Sequence, residues 1–399
     1  MEDIKGGITA PGGFQASGVS CGIKKRGRDL ALIFSDRPAS AAGCLTTNQV
    51  KAACVDWTAG VLRHGSARAI VANSGNANCC TGRRGKRDCA QMAGQAARRL
   101  KIPAGEVLVA STGVIGQALP MPKVRDGIQQ AAASLSSRGS LLAADAILTT
   151  DTRPKEIAVR FRIEKKMVTV GGIAKGAGML APNMATMLAF LTTDAAVKPQ
   201  TLRKALKAWV PVTFNAVTVD GEMSTNDMVL ALANGASGTP SLEPDTPSFR
   251  WFQEAIGIVC RYLAQELVRD GEGVTRTFWI KVHGAGDADA AEQVARRVAN
   301  SPLVRTMVAG RDPNWGRVAA AAGAAGIPIQ LNRISIRLGQ TVVFRRGEPT
   351  RVPREKLLNE VDKPEFEIGI ELGRGPGRAE IFSGDLTEGY VRINAKYTS

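Results

Sequence analysis

The chain carries the sequence KGAGMLAPNMATMLAFLTTDA at residues 175–195. Two glycines and Pro182 make an irregular approach, because glycine and proline interrupt regular structure. Ala185 and Thr186 then open an apolar run that predicts a buried strand. A threonine therefore stands between a strained loop and a strand of the core.

This arrangement is typical of enzymes that cut their own chain. The threonine hydroxyl attacks the preceding carbonyl, and hydrolysis of the resulting ester leaves Thr186 at a new N-terminus. Its free α-amine, with an ordinary pKa of about 8, can then act as the base for its own hydroxyl. On spacing alone an ordinary strand start remains open, because threonine is a common strand former.

Length and composition predict a soluble globular protein. The 399 residues are 44% hydrophobic and 22% charged, and at about 100 to 200 residues per domain they predict two or three lobes. The longest nearly uncharged run of small residues, 318–326, falls short of the roughly 18 apolar residues that cross a bilayer. With no basic-then-apolar signal before Gly6, we expect a cytoplasmic protein without a membrane segment.

Histidine and cysteine are too sparse or too irregularly spaced for several common sites. The chain has only two histidines, His64 and His283, and no nucleophile or metal-ligand spacing surrounds either of them. Seven cysteines without C-x-x-C spacing disfavour both a disulfide framework and a zinc site. The glycines of 171–178 lack the ending of a Walker loop. We therefore expect no metal and no bound cofactor.

The charge balance raises a different possibility, nucleic-acid binding. Lysine and arginine number 52 against 36 acidic residues, a net charge of +16. The strongest sign of such binding is the basic cluster of Arg83, Arg84, Lys86, Arg87, Arg98, Arg99 and Lys101. No aromatic residue lies among them to stack on a base, and no recognition motif accompanies them. A solvent-facing helix is the favoured interpretation, and nucleic-acid binding is a remote alternative.

Hydrophobic periodicity predicts a mixed α/β protein with substantial antiparallel content. Strands are expected at 29–35, 69–73, 106–111, 167–173, 277–282, 334–338, 367–372 and 390–397. Helices are expected at 89–100, 124–135, 251–268 and 290–299. Two proline-containing segments, 235–248 and 347–364, predict surface loops.

Motifs along the whole chain resemble those of one family. Besides the segment around Thr186, they lie at 43–48, 73–78, 111–116, 149–152, 214–221, 224–227, 270–273, 312–317 and 393–399. In this order they are similar to the ornithine acetyltransferase family, the bifunctional glutamate N-acetyltransferases of arginine biosynthesis. The fold this resemblance implies is an α-β-β-α sandwich like that of N-terminal-nucleophile hydrolases, with a smaller C-terminal lobe.

The resemblance also implies a reaction. Cleavage between Ala185 and Thr186 would give an α chain of residues 1–185 and a β chain of residues 186–399, whose C-terminal strand completes the pocket. Thr186 would take the acetyl group from N2-acetylornithine, release ornithine and pass the acetyl group to glutamate, in a ping-pong sequence. Thr112 and Gly113 would form the oxyanion hole.

The family pattern assigns substrate contacts to Thr152, Lys175, Thr186, Glu272, Asn394 and Ser399. Lys175 is suited to a substrate carboxylate and Glu272 to the ammonium of ornithine. The family usually ends in threonine, and the hydroxyl of Ser399 preserves that group. Whether acetyl-CoA serves as a second donor stays open.

The resemblance implies that the α and β chains stay associated as α2β2 or a larger assembly. The runner-up function is a self-cleaving aminopeptidase or amidase of similar architecture. It would use Thr186 for hydrolysis in place of transfer.

Overall fold

The computed structural model describes residues 1–179 and 187–396, which divide into two compact units. The first unit contains residues 1–179, 187–215 and 222–267. The second, smaller unit contains residues 216–221 and 268–396. Within these ranges no helix has both the length and the apolar character needed to cross a bilayer.

Each unit is built on one β-sheet. The strands are β1 (Glu2–Ile4), β2 (Phe14–Val19), β3 (Leu30–Leu45), β4 (Ser66–Asn76), β5 (Val107–Val114), β6 (Lys155–Ile163), β7 (Lys166–Lys175), β8 (Leu188–Thr193), β9 (Val217–Thr218), β10 (Met228–Ala233), β11 (Thr277–Ala285), β12 (Ser335–Leu338), β13 (Thr341–Arg345), β14 (Glu348–Pro349), β15 (Glu365–Glu371) and β16 (Gly377–Gly384). The first unit has the order β1-β6-β7-β8-β10-β3-β4-β5, with β2 also paired to β3, and the second has β14-β13-β12-β15-β11-β16-β9.

Helices accompany both sheets. They are α1 (Ala53–Arg63), α2 (Gly82–Leu100), α3 (Met121–Ala133), α4 (Ser140–Ala146), α5 (Pro199–Trp209), α6 (Pro247–Arg269), α7 (Ala288–Ala299), α8 (Pro302–Ala309), α9 (Trp315–Gly323), α10 (Arg354–Val361) and α11 (Glu388–Asn394). The expected mixed α/β class is confirmed, since each unit contains a sheet accompanied by helices.

The predicted buried strand after Thr186 is confirmed as β8. Every residue of β8 and of its neighbour β10 is buried. The two strands are parallel, with Leu188 opposite Met228, and β7 runs antiparallel to β8 with Lys175 opposite Leu188. Strands buried on both faces read as continuous apolar runs, which explains the sequences LAFLTT and MVLALA. Lys175, Met187 and Asp227 consequently lie at the same end of these three neighbouring strands.

The basic cluster lies on helix α2 and at its C-terminal end. Cys89, Met92 and Ala96 face the core, whereas the arginines and lysines of the cluster are exposed. The helix is thus amphipathic, with its charged side in water. This confirms the prediction of a solvent-facing helix.

Two expectations from periodicity are wrong. The described part of 390–397 is not a strand: residues 390–394 belong to α11, which begins where the Thr387 hydroxyl accepts a hydrogen bond from Gly389 N. This N-cap outweighs the strand preference of the β-branched residues that follow it. The segment 347–364 is not a loop throughout, since it contains β14 and α10. Pro353 stands at the start of α10, where proline is tolerated.

Candidate active site

Thr112 and Gly113 lie at the C-terminal end of β5, beside the end of β4, where the register of the strand pair shifts; we refer to this irregular strand end as the turn of Thr112 and Gly113. These strands are parallel, and Gly113 lies opposite Gly75. At a φ of +131°, a Cβ on Gly113 would stand 2.3 Å from the Gly75 carbonyl carbon and 2.5 Å from Asn76 N. Only glycine fits so close to another backbone. Thr112 beside it is buried, so a hydroxyl and a tightly held backbone amide are adjacent.

Buried side chains hold this turn in place. The Ser111 hydroxyl donates to Asn73 Oδ1 at 2.7 Å, and Asn73 Nδ2 donates to Asn76 O at 2.8 Å. Ala77 N donates to Val114 O at 2.9 Å across the pair of strands. Such a connected network fixes backbone geometry more firmly than isolated contacts do.

Asn226 links this turn to the beginning of β10. Its Nδ2 donates to Ser111 O at 2.8 Å and to Ala77 O at 2.7 Å. Its own Oδ1 accepts from the Thr225 hydroxyl at 2.6 Å. One buried amide thus spans the ends of β4 and β5 and satisfies a carbonyl on each side.

Asp227, which follows Asn226 in the chain, has a fully buried carboxyl group. Its Oδ1 accepts a hydrogen bond from Met187 N at 2.8 Å, whereas Oδ2 has no hydrogen-bond partner within the described part of the chain. Burial raises the pKa of this carboxyl well above its usual range, against the opposing effects of the Met187 amide and the Lys175 ammonium. Asp227 is therefore hydrogen-bonded to Met187, the residue that follows Thr186.

A buried cluster of charges surrounds Asp151. Its Oδ1 lies 2.7 Å from Lys155 Nζ and accepts from Gly176 N at 2.7 Å, and its Oδ2 lies 3.9 Å from Lys175 Nζ. Burial opposes ionisation of Asp151, but the Lys175 and Lys155 ammonium groups outweigh it and lower the pKa of the carboxyl. Asp151 thus lies between the side chains of two buried lysines. Thr152, the next residue, is exposed.

In the second unit, Glu272 and Asn394 meet directly. Asn394 Nδ2 donates to Glu272 Oε2 at 2.7 Å, and Glu272 is buried. Helix α11 packs on the turn that carries Glu272, because the Thr387 hydroxyl donates to Gly273 O at 2.7 Å and a Cβ on Gly273 would stand 2.3 Å from Tyr390 N. Burial, with the nearby Asp220 and Glu272 carboxylates, raises the pKa of Tyr390 to about 12.

The predicted site residues thus fall into three groups. Thr112, Gly113, Thr152 and Lys175 belong to the first unit, whereas Glu272 and Asn394 belong to the second. Ala185, Thr186 and Ser399 lie outside the described residues.

Asp151, Asn226 and Asp227 were not assigned a role from the sequence. Asn226 and Asp227 do carry a local signal, because two polar residues directly precede a strand that is apolar throughout. A pattern of this kind indicates the end of a buried strand, where polar side chains can contribute to a site. Among the described residues, no cluster of histidine, cysteine, aspartate and glutamate could hold a metal ion, and all seven cysteines are free thiols.

Comparison with known proteins gives matches across the chain. A relative from Synechococcus sp. is 46% identical over 409 residues, with 100% of this chain and 99% of the relative covered. A relative from Symbiobacterium thermophilum is 47% identical over 400 residues, with both chains fully covered. Each is named arginine biosynthesis bifunctional protein ArgJ.

A solved structure of ornithine acetyltransferase complexed with ornithine, from Mycobacterium tuberculosis, is 43% identical. The aligned region covers 47% of this chain and 99% of the chain in that structure, with a TM-score of 0.43. The ArgJ family model matches residues 15–399. The family resemblance carried by the motifs is confirmed, and the chain belongs to the ArgJ family.

Proposed function

We propose that the protein is a glutamate N-acetyltransferase that moves the acetyl group of N2-acetylornithine to glutamate, giving ornithine and N-acetylglutamate. The observation that carries this function is the match over the whole chain to bifunctional proteins of arginine biosynthesis. Their description as bifunctional supports a second reaction, in which acetyl-CoA donates the acetyl group to glutamate.

The nucleophile in this proposal is Thr186, released as an N-terminal residue by cleavage of the Ala185–Thr186 bond. Its α-amine takes the hydroxyl proton as Oγ attacks the acetyl carbonyl of N2-acetylornithine. The tetrahedral intermediate then breaks its C–N bond, and the leaving nitrogen of ornithine receives the proton. Attack of the glutamate amine on the acetyl-threonine ester forms N-acetylglutamate and restores the hydroxyl. No cofactor enters these steps.

The oxyanion of each tetrahedral intermediate would be stabilised by the Thr112 hydroxyl and the Gly113 backbone N–H. The close approach of Gly113 to Gly75 supports this role, since a donor is effective only when its position is fixed before the charge develops. Asn73 and Asn226 provide that rigidity through their hydrogen bonds around the turn.

The charges on each unit support the assignment of substrate groups. Lys175, whose ammonium group lies 3.9 Å from the Asp151 carboxylate, suits the α-carboxylate that both amino-acid substrates share. Glu272, held by Asn394, suits the ammonium group of ornithine. Thr152 and Ser399 are further substrate contacts in this proposal.

We further propose that the α and β chains remain together as an α2β2 or larger assembly. The biosynthetic role of the relatives supports a location in the cytoplasm. Native mass spectrometry measures the assembly directly, and a single αβ pair as the largest species would contradict it.

Intact-mass analysis of the purified protein tests the nucleophile. We expect two fragments that divide between Ala185 and Thr186, and a single uncut chain for Thr186→Ala. Thr193→Ala, at the far end of β8, is the matched control and should cleave as wild type does. An uncut wild-type chain would contradict the mechanism.

A transfer assay tests the reaction. The cleaved protein is incubated with N2-acetylornithine and glutamate, and acetylglutamate and acetate are measured together. Acetylglutamate formation supports transfer, whereas acetate release without it indicates the hydrolytic aminopeptidase or amidase alternative. Replacing N2-acetylornithine by acetyl-CoA in the same assay tests the second donor.

A further inference from the structure

The turn 224–227 touches two peptide groups that belong to the proposed active site. Asn226 donates to the carbonyl of Ser111, which is the carbonyl of the Ser111–Thr112 peptide bond. Asp227 accepts from the amide of Met187, which is the amide of the Thr186–Met187 peptide bond. Each hydrogen bond therefore restrains a planar group in which a predicted catalytic residue takes part.

Asn226 and Asp227 are neighbours in the chain, so the two restraints are coupled. Consecutive Cα atoms lie about 3.8 Å apart, and the peptide bond between them is rigid. Both side chains are buried, with exposures of 3% and 0%, and Thr46 N fixes the backbone by donating to Asp227 O at 2.9 Å. A shift of one anchor would therefore move the other.

We propose that Asn226 and Asp227 are paired positioning residues, which together set the nucleophile-bearing peptide of Thr186 relative to the oxyanion turn of Thr112 and Gly113. This inference rests on the proposed function, because it takes Thr186 as the nucleophile. Neither side chain needs to touch the substrate, since each acts through the peptide group to which it is hydrogen-bonded.

An aspartate and an asparagine at the opposite ends of β8 and β10 provide a comparison, because within the described residues neither contacts a predicted catalytic residue. Asp194, just after β8, uses both oxygens, since Oδ1 accepts from Thr169 N at 2.8 Å and Oδ2 from Gly12 N at 3.1 Å. Asn234, just after β10, donates to Gly12 O at 2.9 Å. Asp227 is different, because its Oδ2 is buried with no hydrogen-bond partner in the ranges that the structure describes.

Asp227 is completely buried, which is costly for a carboxyl group in its charged form. The raised pKa of Asp227 agrees with this environment, since burial disfavours its charged form. The function of Asp227 in this proposal needs only the acceptor oxygen that binds Met187 N, whether or not the group is ionised.

The test compares Asp227→Ala and Asp227→Asn with the control Asp194→Ala, using cleavage rate, kcat, KM and urea unfolding. We expect Asp227→Ala to lower kcat by about 100-fold with little change in KM, because misplacement by roughly 1 Å has an effect of that size. Asp227→Asn should recover most of this loss, since its amide oxygen can accept from Met187 N. Asp194→Ala should lose stability but keep kcat.

The second anchor is tested with Asn226→Ala and its control Asn234→Ala. Asn226→Ala should also lower kcat, and in a Thr112→Ala background its further effect should shrink, because the donor that it positions is already absent. A purely structural role would instead give the same factor in both backgrounds. If Asp227→Ala does not fold, the Asn226 comparison carries the test.

Two results would overturn the positioning role. One is kcat and cleavage rates for Asp227→Ala and Asn226→Ala that match those of their controls. The other is an Asp227→Asn variant as slow as Asp227→Ala. Self-cleavage is followed separately by intact mass, so a wild type that cleaves without transferring acetyl groups would contradict the proposed function while the cleavage rates still test the positioning.

Discussion

Replacing Gly113 by alanine should impair catalysis far more than its size suggests. The added Cβ would stand 2.3 Å from the carbonyl carbon of Gly75, about 1 Å inside an ordinary contact of 3.4 Å. The atoms that it meets are backbone, so no side chain can rotate to relieve the overlap. The turn itself must move, and with it the Gly113 amide.

The size of the effect follows from that movement. A displacement of roughly 1 Å in a catalytic group lowers turnover by about 100-fold, or about 3 kcal/mol in the barrier. A left-handed backbone at a residue other than glycine adds strain of about 1–3 kcal/mol. We therefore expect Gly113→Ala to lose both stability and kcat, while KM changes little.

Gly116, three residues after Gly113 and just beyond β5, provides the matched control. It also has a positive φ, +79°, but a Cβ there would meet nothing within 4 Å. Gly116→Ala should share the loss of stability, measured by urea unfolding, and keep its kcat in the acetyl-transfer assay. If the two variants have the same kcat, the assignment of Gly113 to the oxyanion hole is refuted.

Three further predictions concern other parts of the site. Gly273→Ala would place a Cβ 2.3 Å from Tyr390 N and disturb the Asn394–Glu272 contact, so KM for N2-acetylornithine should rise about tenfold; Gly326→Ala, which has open space around it, should show no rise. Asp151→Asn should destabilise the fold at pH 7 by about 3–5 kcal/mol. The folded pKa of Asp151 lies below its unfolded value, so this contribution is lost as pH falls through the folded pKa, and unfolding curves of variant and wild type should converge in acid. A tag added after Ser399 should lower turnover relative to the same tag at the N-terminus, and equal kinetics would contradict a role for Ser399 in the pocket.

Hydrophobic periodicity predicted the helices and strands in which the local sequence pattern and the burial in the fold favour the same structure. The apolar run after Thr186 forms β8, and the helix expected at 251–268 lies within α6. These segments are long or wholly buried, so local preference and tertiary packing favour the same structure.

In the C-terminal segment, the local sequence preference and the observed structure differ. Val391 and Ile393 favour a strand locally, but a strand needs a neighbour to pair with, whereas a helix satisfies its own backbone. The Thr387 cap and the packing of α11 on Gly273 decided in favour of the helix. Neither contact can be read from the residues of 390–397 themselves.

The site residues that lie within family motifs could be predicted from the sequence, but the contacts that explain their roles could not. Gly113 had a motif, but its need for glycine depends on Gly75, which lies on another strand. The role of Asn226 depends in the same way on carbonyls more than 100 residues away in the chain. Long-range hydrogen bonds of this kind leave no periodic trace in a single sequence.

The strand order of the first unit has a consequence for how the protein is made. Cleavage at Ala185–Thr186 would leave β8 and β10 in one chain, enclosed between β7 and β3 of the other. The precursor folds by a unimolecular route, but the severed chains could rebuild this sheet only after a bimolecular encounter. Denaturation of the mature enzyme should therefore be far harder to reverse than that of the uncut Thr186→Ala protein, and any recovery should depend on concentration.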